Sequence, residues 1–224
     1  MNKRGMLITF EGGEGTGKTT IAKELLAWLF KKGLNIELFR EPGGTNIGEQ
    51  IRRVIHDINN TEMDSVTEML LYQAVRAQLY SQRINPLLDN GGIVIMDRSI
   101  DSSIVYQGAG RGIEERLVGF LNNISTDFRK PDLTILLDLD PSVGLARRRA
   151  GGEVNRMDSQ RLEFYETVRQ KYLDMAKIND GGRWRVIDAS RCLSEVYADV
   201  MYTVGVELGL RGKLLPEGQI RKER

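Results

Sequence analysis

The sequence predicts an α/β fold, a doubly wound five-stranded parallel sheet with helices on both faces. Three observations favour it. Five short apolar runs stand apart along the chain, and amphipathic helical patterns separate most of them. The runs show little polar alternation, which is typical of strands buried on both faces of a parallel sheet. Ligands of such sheets bind beyond the carboxyl ends of the strands, so we expect the functional residues there.

The elements follow in order along the chain. The predicted strands are residues 6–11, 35–40, 92–97, 132–139 and 184–189. The helical patterns are KTTIAKELLAWLFKK after the first strand, SVTEMLLYQAVRAQLYSQRINPLL before the third, then RLEFYETVRQKYLDMA and SEVYADVMYTVGVEL. We expect a single domain over residues 1–210. Residues 211–224 have little apolar periodicity and are predicted to form a C-terminal tail.

Composition limits the class of protein. The 224 residues are 41% hydrophobic and 28% charged, as in an ordinary globular domain. Lys and Arg number 32 against 31 acidic residues, so no overall attraction to nucleic acid or to a membrane is expected. The single cysteine, Cys192, precludes an internal disulfide, and neither a signal sequence nor an apolar run of membrane-spanning length is evident. We therefore predict a cytoplasmic protein.

The first strand runs into GGEGTGKT, residues 12–19, which matches G-x-x-x-x-G-K-[ST] between a strand and a helix. In this loop the glycines let successive N–H groups cradle phosphates, Lys18 reaches the β- and γ-phosphates, and the Thr19 hydroxyl can ligate Mg²⁺. The sequence lacks the N-K-x-D element of guanine-specific GTPases, so ATP and a small kinase are predicted. The predicted ATP-binding residues are Gly12, Gly13, Glu14, Gly15, Thr16, Gly17, Lys18, Thr19 and Thr20.

Three further stretches lie at or near predicted strand ends: REPGGT (40–45), LLYQAVRAQ (70–78) and DRSIDSSIVYQGAGRG (97–112). With the phosphate loop, they make the chain resemble the thymidylate kinase family, from about residue 7 to about residue 176. The resemblance implies a P-loop NTPase-like fold with a short lid. It also implies transfer of the γ-phosphoryl group of ATP to dTMP to give dTDP, with Mg²⁺ as cofactor and a homodimeric assembly.

The resemblance also implies how thymine is bound. Tyr72 and Arg76 are four residues apart and project from one helix face. The ring of Tyr72 would stack on thymine, and Arg76 would donate to its 4-carbonyl. Ser103 and Gln107 would read N3 and neighbouring atoms of the base.

The sugar and phosphate of dTMP have their own implied contacts. Ser102 and Tyr106 share the neighbouring helical stripe, and Tyr106 would pack where a ribose 2′-hydroxyl would lie, favouring the deoxy sugar. Glu41 and Pro42 would form a turn that lines the monophosphate pocket. Arg52 is a second candidate ligand of the phosphate.

The end of the third strand is expected to lie at the reacting groups. By resemblance, Asp97 acts near the Mg²⁺ that Thr19 helps to hold. Arg98 would contact the acceptor phosphate, and Glu14 would face the acceptor near its 3′-hydroxyl with its charge offset by Arg98. Ser99 departs from the family, which usually has Tyr or His there, so the bracing of this turn is left open.

LARRRAGGEVNR, residues 145–156, follows the fourth strand, where this kinase class has its lid, here about residues 145–157. Gly15 leaves the phosphate loop with only Lys18 as a basic residue, so further positive charge must come from elsewhere. We expect one or two arginines of the lid to close over ATP and stabilise the transferred phosphoryl group. The candidates are Arg147, Arg148, Arg149 and Arg156, with Arg149 and Arg156 as the predicted catalytic pair beside Lys18, Arg98 and Glu14.

Three alternatives remain open at this level. A related kinase with another acceptor would share most of these motifs. A catalytically silent nucleotide-binding protein, or a nucleic-acid-binding ATPase that uses the arginines, would share the phosphate loop. His56, the only histidine, is assigned no catalytic role.

Overall fold

The computed structural model describes residues 5–152, 156–178 and 180–210. All strand pairs are parallel, and the order in the sheet is β2-β3-β1-β4-β5. The strands are β1 Met6–Glu11, β2 Ile36–Arg40, β3 Ile93–Asp97, β4 Leu133–Asp138 and β5 Trp184–Asp188. The predicted fold class is confirmed, and each strand end lies within one residue of its prediction. The predicted tail, 211–224, lies outside the described residues.

Nine α-helices lie within the described ranges. They are α1 Lys18–Phe30, α2 Asn46–His56, α3 Ser65–Leu79, α4 Asn85–Asp89, α5 Ile100–Ser103, α6 Glu115–Ser125, α7 Pro141–Ala150, α8 Leu162–Ile178 and α9 Leu193–Glu207. π-helical segments cover Tyr80–Ile84 and Ile104–Gly110. The first divides the long helical pattern of residues 65–88 just before Pro86, whose missing N–H interrupts α-helical hydrogen bonding.

Alternation along the strands places helices on both faces of the sheet. In β1, Ile8 and Phe10 pack with Leu25 of α1 and Val200 of α9 in one core cluster. Leu7, between them, points to the opposite face and packs in a second cluster. Both faces of the sheet are therefore buried, which explains the apolar character of the strands. Within the described ranges, we find no helix of sufficient length and hydrophobicity to traverse a bilayer.

Side-chain caps begin the helices that surround the carboxyl edge of the sheet. The Thr45 hydroxyl accepts from the N–H of Gly48 at the start of α2. Asp64 accepts from the N–H of Val66 at the start of α3. Asp140 does the same for α7, where Pro141 suits the first turn. These caps fix where each helix enters the edge at which β1, β2, β3 and β4 end.

Candidate active site

A cavity of about 500 Å³ opens at the carboxyl edge of the sheet. The loop after β1, the turn after β2, α3, the segment after β3 and α7 all contribute to it. Seven basic side chains and three carboxylates line it, so the cavity favours polyanions. The basic residues are Lys18, Arg40, Arg52, Arg76, Arg98, Arg147 and Arg148, and the acidic residues are Glu14, Glu41 and Asp97.

The phosphate loop folds around the ammonium group of Lys18. Gly12, with φ of 138°, lets the backbone turn directly after β1. Lys18 Nζ donates to the carbonyls of Gly12 and Gly13 at 3.1 and 2.6 Å and to the Thr16 hydroxyl at 3.2 Å. Burial, followed by the neighbouring charge of Arg98, lowers the pKa of Lys18 to about 8. The ammonium is held by neutral acceptors that phosphate oxygens could replace.

Thr19 and Asp97 form an oxygen pair at the start of α1 and the end of β3. Thr19 Oγ1 donates to Asp97 Oδ2 at 2.5 Å. No group of three or more His, Cys, Asp or Glu side chains suited to a metal occurs among the described residues. Mg²⁺ prefers oxygen ligands and usually keeps several waters and phosphate oxygens, so two protein oxygens suit it. The donor chemistry of this pair therefore fits the predicted magnesium site.

Arg98 lies between the phosphate loop and the aromatic wall of the cavity. Its backbone is left-handed, with φ of 69°. The side chain donates to Glu14 Oε1 at 2.8 Å and to the Gly12 carbonyl at 3.0 Å, and its guanidinium carbon lies 4.9 Å from the centroid of the Tyr106 ring. Tyr106 also donates to Glu14 Oε1, at 3.2 Å. Burial favours the neutral form of Glu14, but Arg98 and then Lys18 outweigh it and lower its pKa. Glu14 is therefore an ionised partner of Arg98.

The left-handed turn at Arg98 is braced by Glu11, which the sequence analysis missed. Glu11 Oε1 accepts from the N–H of Ser99 at 2.9 Å. Its Oε2 accepts from the hydroxyls of Ser102 and Tyr172 at 2.6 and 2.8 Å. Burial and then Asp101 raise the pKa of Glu11 to about 7. The sequence did offer one sign of this role, because Glu11 is an acidic residue at the end of an otherwise apolar strand.

Arg76 forms the buried floor of the cavity. Its N–H groups donate to Glu41 Oε2 twice, at 2.9 and 2.6 Å, and to Gln73 Oε1, Asn122 Oδ1 and the Ser99 carbonyl at 3.1, 2.6 and 3.1 Å. Burial disfavours its charge, but Glu41 more than compensates, and the pKa of Arg76 is raised. All five donors of a guanidinium thus have acceptors. Donation to a 4-carbonyl of thymine requires that one of these donors be shared.

Ser99 adds two links to this floor. Its carbonyl oxygen accepts a hydrogen bond from Arg76. Its hydroxyl lies 3.0 Å from the hydroxyl of the buried Tyr80. Together with the Glu11 bond, these contacts brace the turn although Ser99 lacks the ring that the family usually has there.

The base-side wall comes from α3 and the segment after β3. Tyr72, Ser103 and Gln107 all line the cavity, and the last two are only 1% and 2% exposed. Gln107 Nε2 donates to Glu68 Oε1 at 2.9 Å. Glu68 was also missed, although its position four residues before Tyr72 places it on the same face of α3.

The turn after β2 supplies a second cationic corner. Arg52 Nη1 donates to the Pro42 carbonyl at 2.6 Å, and the Glu41–Pro42 peptide bond is cis. His56 lines the same cavity. Burial, and then the positive charge of Arg52, lower the pKa of His56 to about 4, so its imidazole is neutral near pH 7.

α7 lies directly on the phosphate loop through two glycines. A Cβ atom on Gly15 would lie 2.0 Å from the Gly144 carbonyl oxygen, and one on Gly144 would lie 2.2 Å from the Glu14 carbonyl oxygen. This close approach brings Arg147 and Arg148, one turn later, to the cavity. Any side chain at position 15 would push α7 away.

Arg149 and Arg156 lie elsewhere. Among the three arginines of α7, Arg147 and Arg148 line the described cavity. Arg149 does not line it and is exposed to solvent. Arg156 is buried and bonds Glu68 Oε2 at 2.5 Å and the Ile55 carbonyl at 2.9 Å. Residues 153–155 of the predicted lid lie outside the described residues. In this arrangement the arginines beside the phosphate loop are not the two that the sequence analysis selected.

All ten predicted substrate residues, the predicted metal pair, and Lys18, Glu14 and Arg98 line this one cavity. Residues 10–200 match the family model for thymidylate kinase. The chain is also similar to the crystal structure of thymidylate kinase from Ehrlichia chaffeensis. The two are 34% identical, with 89% of this chain and 98% of that chain covered and a TM-score of 0.72. These comparisons confirm the resemblance drawn from the motifs.

Proposed function

The chain belongs to the thymidylate kinase family, and we propose that its cavity transfers the γ-phosphoryl group of ATP to dTMP, giving ADP and dTDP. One observation carries the proposal. The Arg98–Glu14 pair joins the phosphate loop to the pocket of Tyr72 and Gln107 within a single cavity. Two nucleotides bound in these two halves would meet through their phosphates.

The phosphate loop is the proposed ATP site. Its N–H groups, at the start of α1, would cradle the phosphates, and Lys18 would exchange the carbonyls of Gly12 and Gly13 for phosphate oxygens. Thr19 and Asp97 would hold Mg²⁺, which supplies positive charge to the phosphates when bound. The loop and the oxygen pair are adjacent, because Thr19 belongs to both.

Arg98 and Arg52 are the proposed ligands of the acceptor phosphate. An acceptor phosphate is already an anion, so the transfer depends on alignment and charge neutralisation more than on a general base. Arg98 is held from three sides by Glu14, Gly12 and Tyr106, which fixes its direction. Glu14 would orient the sugar while Arg98 compensates its charge. A fixed cation of this kind needs no reorganisation as charge shifts between the nucleotides.

The pocket of Tyr72 would hold thymine, and the wall beside it the deoxyribose. Tyr72 offers a ring face for stacking, Ser103 and Gln107 offer polar groups to the base edge, and Arg76 closes the floor. Tyr106 is locked by its bond to Glu14 and its stacking under Arg98, so it cannot easily yield to a 2′-hydroxyl. Ser102, bonded to Glu11, lies on the same side.

We assign the lid charge first to Arg147 and Arg148. Both line the cavity, and the Gly15–Gly144 contact sets their helix on the phosphate loop. Arg149 and Arg156 remain predictions, and a role for Arg156 would require it to leave Glu68. Cations at this position would stabilise charge on the transferred group and help to exclude water.

We propose a homodimer formed through α3 and α6. On α6, Leu117, Phe120 and Ile124 follow helical spacing and are 44%, 59% and 56% exposed. Val66 and Leu70 of the adjacent α3 are also about half exposed. Large apolar side chains exposed together on two adjacent helices are typical of a protein interface.

The remaining partner predictions rest on charge. With 32 basic and 31 acidic residues, no broad basic surface is expected, so we propose that neither nucleic acid nor a membrane is a partner and that the protein acts in the cytoplasm.

A coupled assay of ADP release tests the proposal across a panel of monophosphates. We expect ATP and Mg²⁺ to support the highest kcat/KM with dTMP. Faster turnover of dUMP or CMP than of dTMP would favour the related kinase with another acceptor. ADP release independent of any acceptor would favour a nucleotide-binding protein without transferase function, and acceleration by DNA would favour the nucleic-acid-binding ATPase.

A further inference from the structure

Gln107 has one end fixed and the other directed to the cavity. Its Nε2 donates to Glu68, and among the described residues no group donates to its Oε1. Only 2% of the residue is exposed, yet it lines the cavity beside Tyr72 and Ser103. Its carbonyl oxygen is therefore an unused acceptor in a nearly dry wall of the base-side pocket.

Glu68 determines which end of the amide faces inward. Its carboxylate is 1% exposed and accepts from Arg111 Nε and Nη2 at 3.2 and 3.1 Å and from Arg156 Nη2 at 2.5 Å, besides Gln107. Burial favours its neutral form, but the hydrogen bonds from Arg111 and Gln107 outweigh it and lower the pKa of Glu68. An ionised carboxylate only accepts, so Gln107 must turn its NH₂ group to Glu68. The opposite orientation would set a carbonyl oxygen against a buried carboxylate.

We propose that Glu68 is a specificity-determining positioning residue that makes the enzyme select thymine over cytosine by locking the Gln107 carbonyl toward the base. Thymine carries an N–H at N3, from which this carbonyl oxygen can accept a hydrogen bond. Cytosine has a lone pair at N3, which would face another acceptor. The inference rests on the proposed function, because it takes the Tyr72 pocket to be the base site of the acceptor.

Arg111 and Arg156 determine how the side chain of a Glu68→Gln variant would be oriented. In Glu68→Gln, the new amide has one oxygen, and two arginines compete for it. The NH₂ group that remains faces Gln107, which must then rotate and present its own NH₂ to the cavity. That NH₂ group donates a hydrogen bond to the N3 lone pair of cytosine and is opposed by the N3–H of thymine, which is also a donor.

The experiment compares kcat/KM for dTMP, dCMP and dUMP in the wild type and in Glu68→Gln. Because sites that hydrogen-bond a substrate reject analogues lacking the group strongly, we expect the dTMP-to-dCMP ratio to fall by about 10- to 100-fold. The dTMP-to-dUMP ratio should stay within about twofold, since uracil and thymine share the same N3–H and differ by one methyl group. A general loss of structure would not change one ratio and preserve the other.

Arg111→Met is the matched control. It removes two bonds to Glu68 but leaves a charged carboxylate against Gln107, so stability should fall while base selection is kept. Glu68→Asp covers the case in which Glu68→Gln does not fold. It retains the charge for the arginines but withdraws the carboxylate from Gln107 by one methylene, and the dTMP-to-dCMP ratio should again fall.

The measurements distinguish failure of the proposed function from failure of the role proposed for Glu68. A wild type that does not prefer dTMP would overturn the proposed function. A wild type that prefers dTMP, with the dTMP-to-dCMP ratio unchanged in the folded Glu68 variants, would overturn the role of Glu68 alone. A fall of that ratio in Arg111→Met equal to that in Glu68→Gln would also overturn it.

Discussion

Gly144→Ala tests how α7 approaches the phosphate loop. The added Cβ would lie 2.2 Å from the Glu14 carbonyl oxygen, whereas ordinary contacts of this kind need well over 3 Å. Because the Glu14 oxygen belongs to the backbone and cannot rotate away, α7 must shift outward by roughly 1 Å. Arg147 and Arg148 move with it, because they follow Gly144 by about one turn. A misplacement of roughly 1 Å can cost about 10²-fold in rate, or about 2.7 kcal/mol in activation free energy.

The assay measures kcat and the KM for each nucleotide by coupled ADP release. We expect kcat to fall about 10²-fold, with the KM for dTMP within about threefold of wild type, since the acceptor pocket is untouched. Gly119→Ala is the matched control: it also replaces a helical glycine, but its Cβ would meet only Ile104, at 4.0 Å. Turnover there should be unchanged.

A second arm isolates the cause of the loss. In an Arg147→Ala/Arg148→Ala background, Gly144→Ala should add little, because the side chains that it displaces are gone. Near-wild-type turnover of Gly144→Ala would show that the position of α7 does not control catalysis. A loss of full size in the double-alanine background would show that displacement of Arg147 and Arg148 is not its cause.

Three further substitutions test the phosphate loop, the buried Glu11 and the proposed dimer interface. Lys18→Met should lower turnover at least 10³-fold, yet leave dTMP binding by calorimetry within a few-fold, because its contacts lie in the loop. For Glu11, the folded pKa of about 7 lies above the ordinary carboxyl value of 4.5. Its contribution to stability is therefore full below about pH 4.5 and is lost as the pH rises through 7. Relative to wild type, Glu11→Gln should gain up to about 3 kcal/mol of unfolding free energy between pH 5 and 8 in urea titrations. A pH-independent difference would exclude this titration. Phe120→Asp should convert a dimer to a monomer in light-scattering chromatography, whereas an unchanged mass would exclude the α3–α6 face.

The strands and the phosphate loop could be predicted because their signals are local. Parallel strands that are buried on both faces read as continuous apolar runs, and the loop has fixed spacing between its glycines and Lys18. The division of residues 65–88 was harder, since the helical periodicity continues through the π-helical segment Tyr80–Ile84. Pro86 alone marked the change.

Much of the site depends on contacts between distant segments. Gln107 and Glu68 are 39 residues apart, and Arg98 and Glu14 are 84 apart, so no spacing rule reveals which atoms meet. The position of Arg147 and Arg148 at the cavity depends on the close backbone approach of Gly15 and Gly144, which the local sequence does not show. The family resemblance predicted the substrate residues, but not the buried carboxylates of Glu11 and Glu68 that contact some of them.

The fate of the γ-phosphoryl group shows directly whether the two halves of the cavity bring ATP and dTMP together. ATP labelled at the γ-phosphate is incubated with dTMP, Mg²⁺ and the enzyme, and the products are separated. We expect the label to appear in the β-phosphate of dTDP in an amount equal to the ADP formed, and Arg98→Ala to abolish this transfer. Label released chiefly as inorganic phosphate, or carried by another acceptor while dTMP is present, would contradict it.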